Sequence, residues 1–267
     1  MADTSDAYAT IHPDLRIALV DAWHLLPHAE TVGESAGFRD LYAIIDYVTD
    51  AVHLAFPDIP CHSGCAACCV DYGLPRTTAL EWRAIYRYMR EQMPADVRQA
   101  VIAAVLSQHG GQVPALLQER RRIQVPHTDA RATEHDLPVF DCLACPFLVA
   151  QHCSIYPVRP AICRAFGSFS VRVGDRLQAF TCQMAADHMQ VTLAAKGIPH
   201  WALPVWGRFE ERLYALNEPH GDVASLPLWV LAHLEGDQLV MTVDLRPDFE
   251  ALQPLDGDGL AGAPAAG

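Results

Sequence analysis

With 267 residues, a formal charge of −13 and a pI near 5.3, the chain can bury a sizeable core and is too acidic for a general nucleic-acid or anionic-membrane binder. Apolar residues make up 51% of it, as in globular proteins, yet no apolar run reaches the length that spans a bilayer. The opening MADTSDAYAT lacks the basic segment and apolar run of a secretory signal, which points to the cytosol.

The first 37 residues show weak periodicity. GESAG (33–37) matches the nucleophile-elbow pattern, with Ser35 as the nucleophile. That elbow needs a buried strand before it, and HLLPHAETV does not supply one, so a loop before a helix is expected. His28 and Glu30, followed by Pro60-Cys61 and Cys65, imitate the zinc deaminase signature. Three residues separate the two cysteines where that signature has two, and glycines at 33 and 37 interrupt the helix it requires. A solvated His and Glu is the better account.

FRDLYAIIDYVTDAVHLAF (38–56) places apolar residues at helical spacing, and Pro57 and Pro60 end that helix. Thr78 and Glu81 have capping-box spacing and open a helix through TALEWRAIYRYMREQ. Pro94 starts another that runs to the glycines at 110 and 111, and QVPALLQERRRIQ follows as a third. Its basic run, QERRRIQ (118–124), reads as a solvated helix face. Residues 125–141 look like a polar loop, with His127 and His135. SFSVRV, Gly174-Asp175 and RLQAFT form a β-hairpin pattern, followed by a helix from about 181 to 196 that stops at Gly197. WGRFEERLYALNE and SLPLWVLAHLEG suggest two more helices and QLVMTVDLR a strand, before a disordered tail, GDGLAGAPAAG.

The cysteines carry the functional signal. All nine lie between positions 61 and 182, which is too clustered for packing residues and an odd number for a disulfide framework. Cys61, Cys65, Cys68 and Cys69 stand at i, i+4, i+7 and i+8, so a helical segment would put their sulfurs on one face. Adjacent Cys68 and Cys69 diverge by about 100° on a helix and suit two different metal atoms, or one ligand and one packing residue, better than a single ion. Cys142 and Cys145 have the C-x2-C spacing of zinc or iron–sulfur ligands, and Cys153, Cys163 and Cys182 arrive singly. Arg159 and Arg164 stand where they could balance thiolate charge or equally form surface ion pairs, while Phe147, Ile155 and Tyr156 are expected to pack.

CPFL, then CSIYPVRPAICRAF, preceded by a knot ending in CC, resembles the YkgJ-type cysteine-cluster family, the zinc- or iron-chelating CxxCxxCC domain, over roughly residues 61–182. The resemblance implies a metal centre held by about eight cysteines: Cys65, Cys68, Cys69, Cys145, Cys153 and Cys163, with Cys61 and Cys182. Cys142 is then supernumerary. The knot departs from the family pattern in having three residues between Cys61 and Cys65. C-x3-C-x2-C also resembles radical-SAM enzymes, but over eight residues only, and residues 74–124 look wholly helical where those enzymes have a βα barrel.

These readings give a mainly α fold: one irregular domain over residues 1–267, tied by a cysteine-ligated metal centre and carrying a short β-hairpin. The cysteine core is 61–182, with an N-terminal extension at 1–37 and a C-terminal one at 197–267. The expected function is cytosolic metal binding, with an iron–sulfur cluster favoured over zinc and two cysteine clusters converging on it. An alternative is an iron–sulfur-dependent protein-modifying enzyme similar to protein-lysine methylases. Neither a glycine-rich phosphate loop nor a catalytic triad stands out, which favours the binding reading. No nucleic-acid or membrane partner is expected, and a protein partner or substrate is left unnamed.

Overall fold

Leu41, Ile44, Ile45, Val48 and Val52 recur on one helical face, and in a computed structural model all five are buried along the helix Glu34–Ala55. The structure describes residues 34–71, 74–123, 144–174, 176–197 and 203–255. Helices dominate it, with four two-stranded sheets, so the mainly α expectation holds. His28, Glu30, His127, His135, Cys142 and the tail from 256 lie outside the described residues. The helix begins at Glu34, so GESAG runs into a helix where a loop was expected.

The chain groups into two compact units, each built from separated stretches: Met1–Cys68 with Ala161–Pro219, and Cys69–Pro160 with His220–Gly267. In the first, the helix Glu34–Ala55 packs on the short helix Ala161–Ala165 and on Gly207–Asn217. The expected hairpin is present, Phe169–Val173 against Arg176–Phe180, with Gly174 at φ +58°. Phe169 anchors it in the core, edge-on to Trp206 at 5.5 Å and to Phe209 at 5.3 Å. Gln183–Lys196 follows as a helix and stops at left-handed Gly197, as the sequence predicts.

In the second unit, Thr78 caps the helix Ala79–Glu91. The Glu81 N–H donates to Thr78 Oγ1 at 3.3 Å, and the Thr78 N–H donates to Glu81 Oε2 at 2.7 Å. Its Trp82, Ile85 and Met89 meet Val101 and Val105 of Ala95–His109 and Leu116 of Val113–Ile123. The stretch Ala95–Arg122 has the length and composition that could cross a membrane, although these side chains face the core. Residues 74–124 are not wholly helical, because Arg76–Thr78 pairs antiparallel with Val223–Ser225.

That pairing brings the C-terminal segment into the second unit. Residues 220–255 are part of the second unit's core, with Leu226, Trp229 and Phe249 fully enclosed. Trp229 stacks on Trp82 at 6.0 Å and donates from Nε1 to the Thr77 carbonyl at 2.8 Å. The helix expected through Gly236 ends at Leu231. His233 turns the chain there: its N–H donates to the Val230 carbonyl, and its carbonyl accepts from the Val240 N–H. A two-residue ladder, Leu234–Glu235 with Gln238–Leu239, then replaces most of the strand expected in QLVMTVDLR.

Candidate metal centre

The first cysteine knot is not one helix. Cys61 and Cys65 lie in irregular chain, and only Ala67–Asp71 is helical, so the expectation of four sulfurs on one helical face is corrected. The cause is local. Pro60 opens the segment, and Gly64 turns left-handed at φ +92° while the Cys65 N–H donates to the His62 carbonyl at 3.1 Å. The residue by which this knot exceeds the C-x2-C spacing thus sits in a glycine-bearing turn.

Five of the expected ligands belong to the first unit: Cys61, Cys65, Cys68, Cys163 and Cys182. Four of them form a neighbourhood. Cys65, Cys68 and Cys182 stand near enough to Cys61 for their negative charges to act on its thiol. Burial is the larger influence and, with that repulsion, pushes the Cys61 thiol up to about 11. The Thr181 hydroxyl pulls the other way. It is enclosed and has no hydrogen bond of standard geometry, so the adjacent sulfur is the polar group it leans on. Cys182 is delivered by the end of the hairpin and begins the helix Gln183–Lys196. Cys163 is half-buried on Ala161–Ala165.

The second unit holds Cys69, Cys145 and Cys153. The Cys145 N–H donates to the Cys69 carbonyl at 2.6 Å, which ties the two segments together. Cys153 faces Leu148 across a hairpin of two residues per strand, closed through Ala150 and Gln151. The sequence reading did not find this hairpin, since its turn lacks the usual Asn-Gly signal. Phe147 and Ile155 are buried in the core, as expected, and Tyr156 packs beneath the Arg159 guanidinium at 4.0 Å. Arg164, the other expected balancing cation, reaches both carboxylate oxygens of Asp46 at 2.6 Å.

None of the eight described cysteines is joined in a disulfide. As the side chains stand, no three or more His, Cys, Asp or Glu among the described residues are arranged to hold an ion. The donor set around Cys61 still fits a thiophilic cation: several sulfurs repel one another as thiolates, and an enclosed hydroxyl lies beside them. A divalent ion there would convert that repulsion into attraction.

Residues 60–183 match the CxxCxxCC family, described as a putative zinc- or iron-chelating domain. The matched stretch starts just before Cys61, ends just after Cys182 and contains every cysteine of the chain. No curated protein and no solved structure matches the chain. Sequence reasoning missed Gly167 and Thr181, which both border Cys61. Their only sequence signal is position, one after the CRAF segment and one directly before Cys182.

Proposed function

We propose that this protein binds a metal through the thiolates of its CxxCxxCC domain, with Cys61, Cys65, Cys68 and Cys182 as ligands in the first unit and Cys163 beside them. Within the second unit, Cys69, Cys145 and Cys153 are the candidate thiolates. The observation that carries the reading is the gathering of Cys65, Cys68 and Cys182 around the Cys61 thiol, from a loop, a short helix and a hairpin end. Structural zinc commonly draws on paired cysteine hairpins. Ligands arriving from separate directions favour a polynuclear iron–sulfur cluster, whose iron atoms stand apart. When bound, such a cluster would supply electron storage or a structural clasp. The chain's own part is to present thiolates, which lose their protons on binding, and to keep them reduced as a cytosolic setting would.

Protein purified without oxygen from iron-replete cells tests the reading. It should be brown, with iron and acid-labile sulfide in stoichiometric amounts and a visible band that bleaches with dithionite. Colourless protein with stoichiometric zinc would overturn the cluster and keep the thiolate site. Protein holding neither metal would overturn both.

A further inference from the structure

Gly167 is where three cysteine-bearing segments of the first unit meet. It lies four residues after Cys163, and its N–H donates to the Phe180 carbonyl at 2.7 Å, two residues before Cys182. Its third neighbour is Cys61. A Cβ built on Gly167 would stand 2.8 Å from the Cys61 Cβ and closer still to its Sγ, inside any distance that real side chains adopt. The backbone there is left-handed, at φ +89°. Gly64, at φ +92°, and Gly174, at φ +58°, share the left-handed backbone but have open space where a Cβ would go. The feature peculiar to Gly167 is therefore the sulfur lying against its Cα.

We infer that Gly167 is a positioning residue for the Cys61 thiol: its missing side chain opens the niche that holds this sulfur in the cluster with Cys65, Cys68 and Cys182. The inference rests on the thiolate-site reading only for its consequence in metal binding. The placement of the thiol is a separate claim. Ser168, the next residue, is buried and meets His53 Nε2 through its hydroxyl at 3.2 Å, so the turn is braced against the helix Glu34–Ala55 and cannot simply swing aside. A methyl group at 167 must displace the sulfur.

The test is a double-mutant cycle on the full chain, with two readouts. In metal-free, reduced protein, the alkylation rate of Cys61 by iodoacetamide is followed by mass spectrometry. Gly167→Ala should raise it by roughly tenfold or more relative to wild type and to Gly174→Ala, because the thiol leaves its niche. Stability by urea denaturation is the second readout, and it covers the case in which Gly167→Ala alone folds poorly. In a Cys61→Gly background the collision is gone, and Gly167→Ala should then cost no more than Gly174→Ala. Equal losses in both backgrounds, failure to fold in the Cys61→Gly background, or unchanged Cys61 alkylation would each overturn the inference. Zinc and iron content, measured on the anaerobic preparations, should fall in Gly167→Ala as in Cys61→Ser. Wild-type protein without metal would sink the function reading and leave the alkylation and stability results to decide the role of Gly167.

Discussion

Arg164 and Asp46 form a close ion pair, one guanidinium nitrogen reaching both carboxylate oxygens at 2.6 Å while the Tyr42 ring lies 4.7 Å beneath the guanidinium carbon. The arginine follows Cys163 directly and the other two residues belong to the helix Glu34–Ala55, so the pair fixes a cysteine-bearing turn to the core helix. Arg164 is nearly buried, which lifts the pair above an ordinary surface bridge. Asp46→Asn should lower stability by about 1 kcal/mol while leaving metal content intact, since it removes an anchor and no sulfur. Arg164→Lys should lose a similar amount, because an ammonium cannot stack on Tyr42 as a planar guanidinium does. Urea denaturation beside metal analysis checks both, and a metal loss in Asp46→Asn at unchanged stability would contradict the anchoring role.

The hairpin carrying Cys153 turns through Ala150 at φ +48° and Gln151 at φ +64°, two side-chain-bearing residues in left-handed conformation. Asn-Gly is the pair that such a turn accepts with least strain. Ala150→Asn with Gln151→Gly should therefore stabilise the protein, by about 1–2 kcal/mol over the two positions, with metal content unaltered. A melting temperature equal to or below that of wild type would show that the strain is not there to relieve.

Two groups of the second unit, buried His109 and half-buried Glu119, give stability opposite slopes with pH. His109 is fully enclosed with neither ring nitrogen hydrogen-bonded, and burial pushes it down to about 4 from an ordinary 6.5. Its contribution is complete above pH 6.5 and is lost as the pH falls toward 4. Burial pushes Glu119 up to about 7 from an ordinary 4.5, with Arg76 opposing, so its contribution is complete below 4.5 and lost as the pH rises toward 7. The two cancel over most of that interval. Glu119→Gln should uncover a stability that rises with pH by up to about 1.4 kcal/mol per unit between pH 4.5 and 6.5, and His109→Gln one that falls. Denaturation of metal-free protein across that range reads the slopes, and parallel curves for both variants would contradict the assignment.

Cys142 stands three residues before Cys145 of the Cys145-Pro146 step, where the family resemblance is already satisfied. Cys142→Ser should keep wild-type metal content, whereas Cys145→Ser should lose it. Equal losses would put Cys142 among the ligands.

The elements legible in the sequence are those whose cause is local. Thr78 and Glu81 announce a capping box, five apolar residues from Leu41 to Val52 mark a buried helix face, and Gly197 ends a helix. The likeness of residues 60–183 to the CxxCxxCC family was legible for the same reason, since cysteine spacing is a chain property. What escaped depends on partners distant in sequence. Arg76–Thr78 becomes a strand only because Val223–Ser225 lies beside it, and the helix at Leu226–Leu231 stops where His233 bonds back to it. Gly167 resembles any loop glycine until the Cys61 sulfur is seen against it. The Ala150-Gln151 turn escaped because its residues contradict local preference.

The central claim is that the thiols gathered around Cys61 act together as metal ligands, and Cys182 tests it most directly because it joins the group from the hairpin end, far along the chain from the knot. The measurement is zinc, iron and sulfide per chain in Cys182→Ser purified without oxygen beside wild type, with circular dichroism to confirm that the helices remain. The account predicts loss of most of the bound metal from a chain that keeps its helical signal. Wild-type metal and sulfide content in Cys182→Ser would contradict it.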